Sequence, residues 1–182
     1  MQTAVLSGVT EANPFRLGKG IYLVLLHATR IPPHIGMLFD GTYHSLTVKG
    51  KDSDVPFQAL TRNILLRKLP SLFLEIKTGS AHSAAEMSGI FKDLLAPYNR
   101  VEAGQATCLS PVKQFFTEVS GIPAENVSYV YELIPLLQAR GLAGAASGFF
   151  LEEKLESGSY RFPWYTMQEI DSGIRQVRTE FN

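Results

Sequence analysis

The chain has 182 residues, with 17 basic and 17 acidic side chains, four histidines and one cysteine, so its formal net charge is zero. A protein that holds nucleic acid by its phosphates carries a basic excess, so a nucleic-acid partner is not expected. A single cysteine excludes an internal disulfide and a cysteine-rich zinc site. Hydrophobic residues make up 45% of the chain and charged residues 19%. That is the composition of a protein that folds around a core, and at this length one domain spanning residues 1–182 is expected.

Residues 1–18 contain Glu11, Pro14 and Arg16 but no apolar run, which does not fit a secretory signal. The most apolar stretch, residues 21–28, has the length of a strand and is too short to span a bilayer. The protein therefore reads as cytoplasmic, with no membrane partner. Residues 1–90 carry 9 basic and 6 acidic side chains and residues 91–182 carry 8 and 11, a difference that a solvated surface accommodates.

In chain order, residues 1–18 lack periodicity and read as a loose N-terminal arm. Tyr22-Leu23-Val24-Leu25-Leu26 reads as a buried strand. Ile31-Pro32-Pro33 then breaks the chain ahead of two strands, 34–39 and 42–49, joined around Asp40-Gly41. A two-residue loop would put His34 and His44 on opposite faces; a three-residue loop would put them on one face. Asp54-Val55-Pro56 predicts a helix start, with apolar positions at Phe57, Leu60 and Ile64. Arg62, Arg67 and Lys68 read as the solvated face of that helix. Residues 71–77 alternate as a strand. Ser83 with Glu86 forms a capping-box pattern and opens a helix. Ser110-Pro111 has the form of a helix start, and Val112, Phe115, Phe116 and Val119 give its apolar stripe. A short helix is expected around 135–140. The Gly/Ala-rich segment 141–148 reads as a linker or mobile flap. A second capping box at Thr166 and Glu169 starts a C-terminal helix over 166–180. The aromatic run 160–165 reads as a clasp for that helix.

Cys108 carries the chemistry on offer. A thiol just ahead of a helix lies near partial positive charge and unpaired N–H groups, which favour the thiolate. The same groups can hold an oxyanion. A nucleophilic cysteine also needs an imidazole and a group to orient it. His34, at the head of its strand, is the best-placed imidazole, and His44 and Glu75 are candidate orienters. The alternative for each is structural: Cys108 as a small buried hydrophobe, the histidines and Glu75 as ordinary strand residues. Zinc on His34, His44, Glu75 and Cys108 lacks any supporting ligand spacing, so no metal and no other cofactor is expected.

The order of these pieces resembles a known group. His34-Ile35-Gly36 opens a strand, Thr107-Cys108-Leu109-Ser110 stands at the mouth of an apolar helix, and Ser120-Gly121-Ile122-Pro123 ends that helix. Over about residues 34–140 this is similar to the circularly permuted papain-like thiol hydrolases of the NlpC and PPPDE types, in which histidine precedes cysteine. The chain departs from them in having Ala106 and Thr107 before the cysteine and no glutamine nearer than Gln105. The resemblance implies an α+β fold, a small mostly antiparallel sheet flanked by helices. It implies Cys108 as nucleophile, His34 as base and His44 as third group, acting on an amide or isopeptide bond in a peptide-like substrate. A protein that keeps this fold and binds a partner without catalysis is the other expectation.

Overall fold

The apolar run at 21–26 becomes the middle strand of a seven-stranded sheet, and this explains why Leu23, Val24 and Leu25 are fully enclosed. A strand covered on both faces has no solvent side to carry polar residues. The computed structural model describes residues 4–180. Its strands are β1 (Val5–Leu6), β2 (Thr10–Glu11), β3 (Ile21–Leu26), β4 (His34–Phe39), β5 (Thr42–Leu46), β6 (Lys51–Pro56), β7 (Ser71–Ile76), β8 (Ala143–Phe149), β9 (Leu155–Glu156) and β10 (Ser159–Arg161). Its α-helices are α1 (Phe57–Arg67), α2 (Ala84–Leu95), α3 (Leu109–Ser120), α4 (Val130–Ala139) and α5 (Met167–Glu180). The large sheet runs β2-β8-β7-β3-β4-β5-β6 and is antiparallel except where β2 meets β8. A small antiparallel sheet runs β1-β10-β9. The fold is α+β.

The two faces of the large sheet have different covers. On one, Val24, Leu38, Tyr43 and Phe73 pack beneath Phe57, Leu60 and Ile64 of α1, together with Ala12 and Leu17. On the other, Leu25, Ile35, Met37 and Phe39 pack beneath α2, α3, α4 and α5. Phe39, Phe91 and Phe115 meet there with ring centroids 5.4–5.8 Å apart.

The β4–β5 hairpin closes with Phe39 opposite Thr42, and both Asp40 and Gly41 have positive φ. This is the two-residue loop, and it sends His34 and His44 to opposite faces.

Several expectations are corrected. From Ala4 onward the N-terminal segment is not a loose arm: Ala4, Leu6, Val9, Ala12 and Leu17 are buried, and β1 and β2 join the two sheets, while residues 1–3 lie outside the described residues. Strands two residues long leave no period to read. Segment 141–148 is no flap; most of it forms β8, an interior strand. Its small residues serve close approach, since a β-carbon at Gly144 would meet the Glu75 side chain and one at Gly148 would meet Leu151. Asp54 opens no helix. It lies in β6 with φ 56° at a bulge, and α1 begins after Pro56. Helix α4 starts at Val130, ahead of the expected position, with Pro135 in its interior. The capping boxes at Ser83 and Thr166 form as expected.

Candidate functional site

Helix α3 begins at Leu109, two residues earlier than its Ser-Pro pair suggests, so Cys108 itself is the N-cap residue. Ser110 lies in the first turn and its Oγ accepts the N–H of Thr107. This seats the thiol at the helix mouth, where it packs against the start of β4. The Cys108 thiol donates to the Pro33 carbonyl at 3.9 Å. The sulfur also faces the N–H groups of Ile35, Cys108 and Leu109. Burial pushes the thiol up to about 11, and these N–H groups offset only part of that. The cysteine is half-buried and lines a narrow cleft of about 40 Å³ with Pro33, Ile35 and Tyr165. Thr107, Leu109 and Ser128 also wall a wider neighbouring cavity of about 200 Å³ that reaches Gln105, Lys113 and Met167.

The fold therefore brings Cys108 to the backbone on either side of His34. The two side chains are not joined by a hydrogen bond. His34 lies on the α1 face, where its Nε2 pairs with Ser45 Oγ at 3.0 Å. Its Nδ1 has no hydrogen-bond partner among the described residues. Burial lowers His34 to about 4, so the ring is neutral near pH 7. Asp52 stands across from Ser45 on β6. Its carboxyl is raised by burial and drawn back by the Ser45 hydroxyl. Tyr43 closes the cluster. Its ring lies over Gly36, so close that a β-carbon there would clash with the phenol oxygen. That oxygen is buried, faces the Ser45 hydroxyl and makes no well-formed hydrogen bond among the described residues.

His44 does not serve as third group. It is fully buried on the α2 face, where Nδ1 accepts the Asp54 N–H at 3.1 Å and Nε2 meets Ser88 Oγ at 2.8 Å. An accepting Nδ1 fixes the proton on Nε2, which therefore donates to Ser88. The neutral ring ties the β6 bulge to α2, and burial lowers it to about 4. Glu75 is not the third group either. It stands opposite Tyr22, whereas His34 stands opposite Leu26, so about 13 Å of strand separates them. Its carboxylate accepts the Ala145 N–H.

The residue that does meet His34 is Ser45, with Asp52 behind it. Sequence reading missed both because a serine on a strand carries no chemical signal by itself. Only the hairpin register puts it beside the imidazole. Among the described residues no three His, Cys, Asp or Glu side chains gather as a metal site. Among the described residues no helix is long and apolar enough to cross a membrane. Comparison with known proteins gives no match to a family model, to a curated protein or to a solved structure.

Proposed function

We infer that the protein is a thiol hydrolase of amide or isopeptide bonds, similar to the permuted papain-like enzymes, with Cys108 as nucleophile and His34 as base. One observation carries this reading. The α3 start sets the Cys108 sulfur against the β4 backbone that bears His34, while Ser45 holds Nε2 and leaves Nδ1 unpaired. With Nε2–H donated to Ser45, Nδ1 has the free lone pair. Because the ring lies on the α1 face and the sulfur packs on the α3 side, the reading requires the ring to swing round the start of β4 to reach the thiol when substrate fills the cleft.

The steps then follow. His34 Nδ1 takes the Cys108 proton as the sulfur bonds to the substrate carbonyl carbon. The carbonyl oxygen becomes an oxyanion, held by N–H groups at the α3 start. The imidazolium returns the proton to the leaving nitrogen as the C–N bond breaks, giving an amine and a thioester. Water, deprotonated by His34, adds to the thioester and releases a carboxylic acid and free Cys108. Asp52, acting through Ser45, positions the ring and favours its cationic form during the reaction.

A non-catalytic binding protein with this fold is favoured by a different observation, the upward push on the thiol. p-Nitrophenyl acetate separates the two. The hydrolase releases a burst of p-nitrophenolate stoichiometric with protein and carries the acetyl group on Cys108, read by peptide mass spectrometry. Cys108→Ala abolishes the burst, and His34→Ala slows it by about a hundredfold or more. Acetylation spread over lysines, unchanged by either substitution, overturns the enzyme reading and leaves the binding protein.

A further inference from the structure

We propose that the outer face of α1 and the adjoining turn at 13–19 form a docking surface for an anionic lipid bilayer. The inference is independent of the thiol chemistry. It departs from the sequence reading, which set a membrane aside and took Arg62, Arg67 and Lys68 for a merely solvated face.

Charge is the first argument. The chain is neutral overall, yet residues 12–39 and 55–74 contain no aspartate or glutamate. These stretches supply the layer over one sheet face, where Ala12 and Leu17 pack with Phe57, Leu60 and Ile64. That layer exposes Arg16, Lys19, Arg62, Arg67 and Lys68. None of the five forms an ion pair among the described residues. Arg30 joins them near the end of α1, since both Arg30 and Arg67 act on His27. Asp40 and Glu75 border this layer beside Tyr22, so a zero net charge conceals a face on which cations are in excess rather than alone.

Apolar exposure is the second argument. The buried stripe of α1 is Phe57, Leu60, Thr61 and Ile64. At about 100° per residue, Leu66 stands nearly opposite that stripe, at the crown of the helix. It is 73% exposed, its neighbour Leu65 is 45% exposed, and Phe15 in the adjoining turn is 97% exposed. A single exposed leucine is ordinary. A large apolar residue at the crown of a helix with cations and no acids is the pattern of a helix that lies in a membrane interface.

The combination selects among occupants. A second copy of this chain would bring like charge against like charge. A nucleic acid would use the cations and leave Phe15 and Leu66 without a role. An anionic bilayer uses both, because lipid headgroups neutralise the cations while the apolar side chains enter the acyl boundary. No spanning segment is needed for this mode.

The test is co-sedimentation of the full chain with vesicles of phosphatidylcholine, with and without phosphatidylglycerol. The protein is expected to sediment only with the anionic vesicles, less so as salt is raised. Each cation removed should weaken partition about fivefold, so R62Q/R67Q/K68Q together should lower it about a hundredfold. Leu66→Ser should lower it several-fold at unchanged charge, and Arg140→Gln, at the end of α4, should leave it unchanged. All these positions are exposed, and circular dichroism checks that the variants fold. Equal partition to neutral and anionic vesicles, or no response to the triple substitution, overturns the proposal. So does binding to an RNA oligonucleotide that competes with vesicles and is indifferent to Leu66→Ser.

Discussion

Phe115→Ala is expected to remove about 4 kcal/mol of stability, the cost of deleting a fully buried phenyl ring whose site cannot collapse. Phe115 is 0% exposed and touches Phe39 from β4, Phe91 from α2 and Phe116 from its own helix, with ring centroids 5.4–5.8 Å away. Three elements converge on it, so no single neighbour can move in without leaving another void. The same contact holds α3 on the sheet and thereby sets Cys108 against β4. Urea denaturation at neutral pH should show a lower midpoint at an unchanged slope. Leu66→Ala on the outer face of α1 should lie within about 0.5 kcal/mol of the parent. A loss at Phe115 no larger than that would mean that this layer is not the core described above.

The second large effect is a loss of stability in mild acid. His34 and His44 are both neutral in the folded protein, held near 4 by burial, against an ordinary value of 6.5. In the unfolded chain they protonate as pH falls through about 6.5, whereas the folded chain takes up those protons only near 4. Proton uptake in this window favours the unfolded state. The stabilising contribution is therefore complete above about pH 6.5 and is lost as pH falls to about 4. It amounts to up to about 3 kcal/mol for each histidine. His44→Gln supplies an acceptor for Asp54 N–H and a donor for Ser88 in a group that does not titrate. That variant is expected to be weaker than the parent at pH 7 but to lose about half as much on acidification. Parallel stability curves for parent and variant would contradict the burial of a neutral His44.

The parts of the fold legible in the sequence are those where one physical signal dominates. The continuous apolar run at 22–26, the alternation from Leu72 to Ile76, the two capping boxes and the stripe on α3 all appear where expected. The misread parts are those where tertiary contacts override local pattern. Segment 141–148 has the composition of a loop, but its glycines answer to Glu75 and to the Ser71 backbone, residues distant in the chain. Asp54 before Val55-Pro56 resembles a helix cap, yet pairing of Asp52 and Val55 with β5 keeps it in a strand bulge. The N-terminal segment has strands too short to announce themselves.

The candidate site divides along the same line. That a strand opens at His34 and a helix opens close to Cys108 was readable from Pro32-Pro33-His34 and from Cys108-Leu109-Ser110-Pro111, whereas their meeting was only what the resemblance implied. The company each side chain keeps was not readable. It depends on the register of one hairpin, which turns His44 to α2 and brings Ser45 to His34. Gly36 belongs to the same arrangement, since its missing side chain makes room for the Tyr43 ring. The metal alternative fails on the same register, because His34 and His44 point away from each other across the sheet.

The central claim is that His34 acts as a base on Cys108, and the rate of iodoacetamide alkylation of Cys108 as a function of pH tests it most directly. If His34 assists, labelling is already fast and nearly flat around neutral pH, following a ring deprotonated above about 4, and His34→Ala slows it by about a hundredfold. If the thiol is unassisted, labelling climbs about tenfold per pH unit toward a titration near 11, and His34→Ala changes nothing. The first result is the one this account predicts, and the second would contradict it.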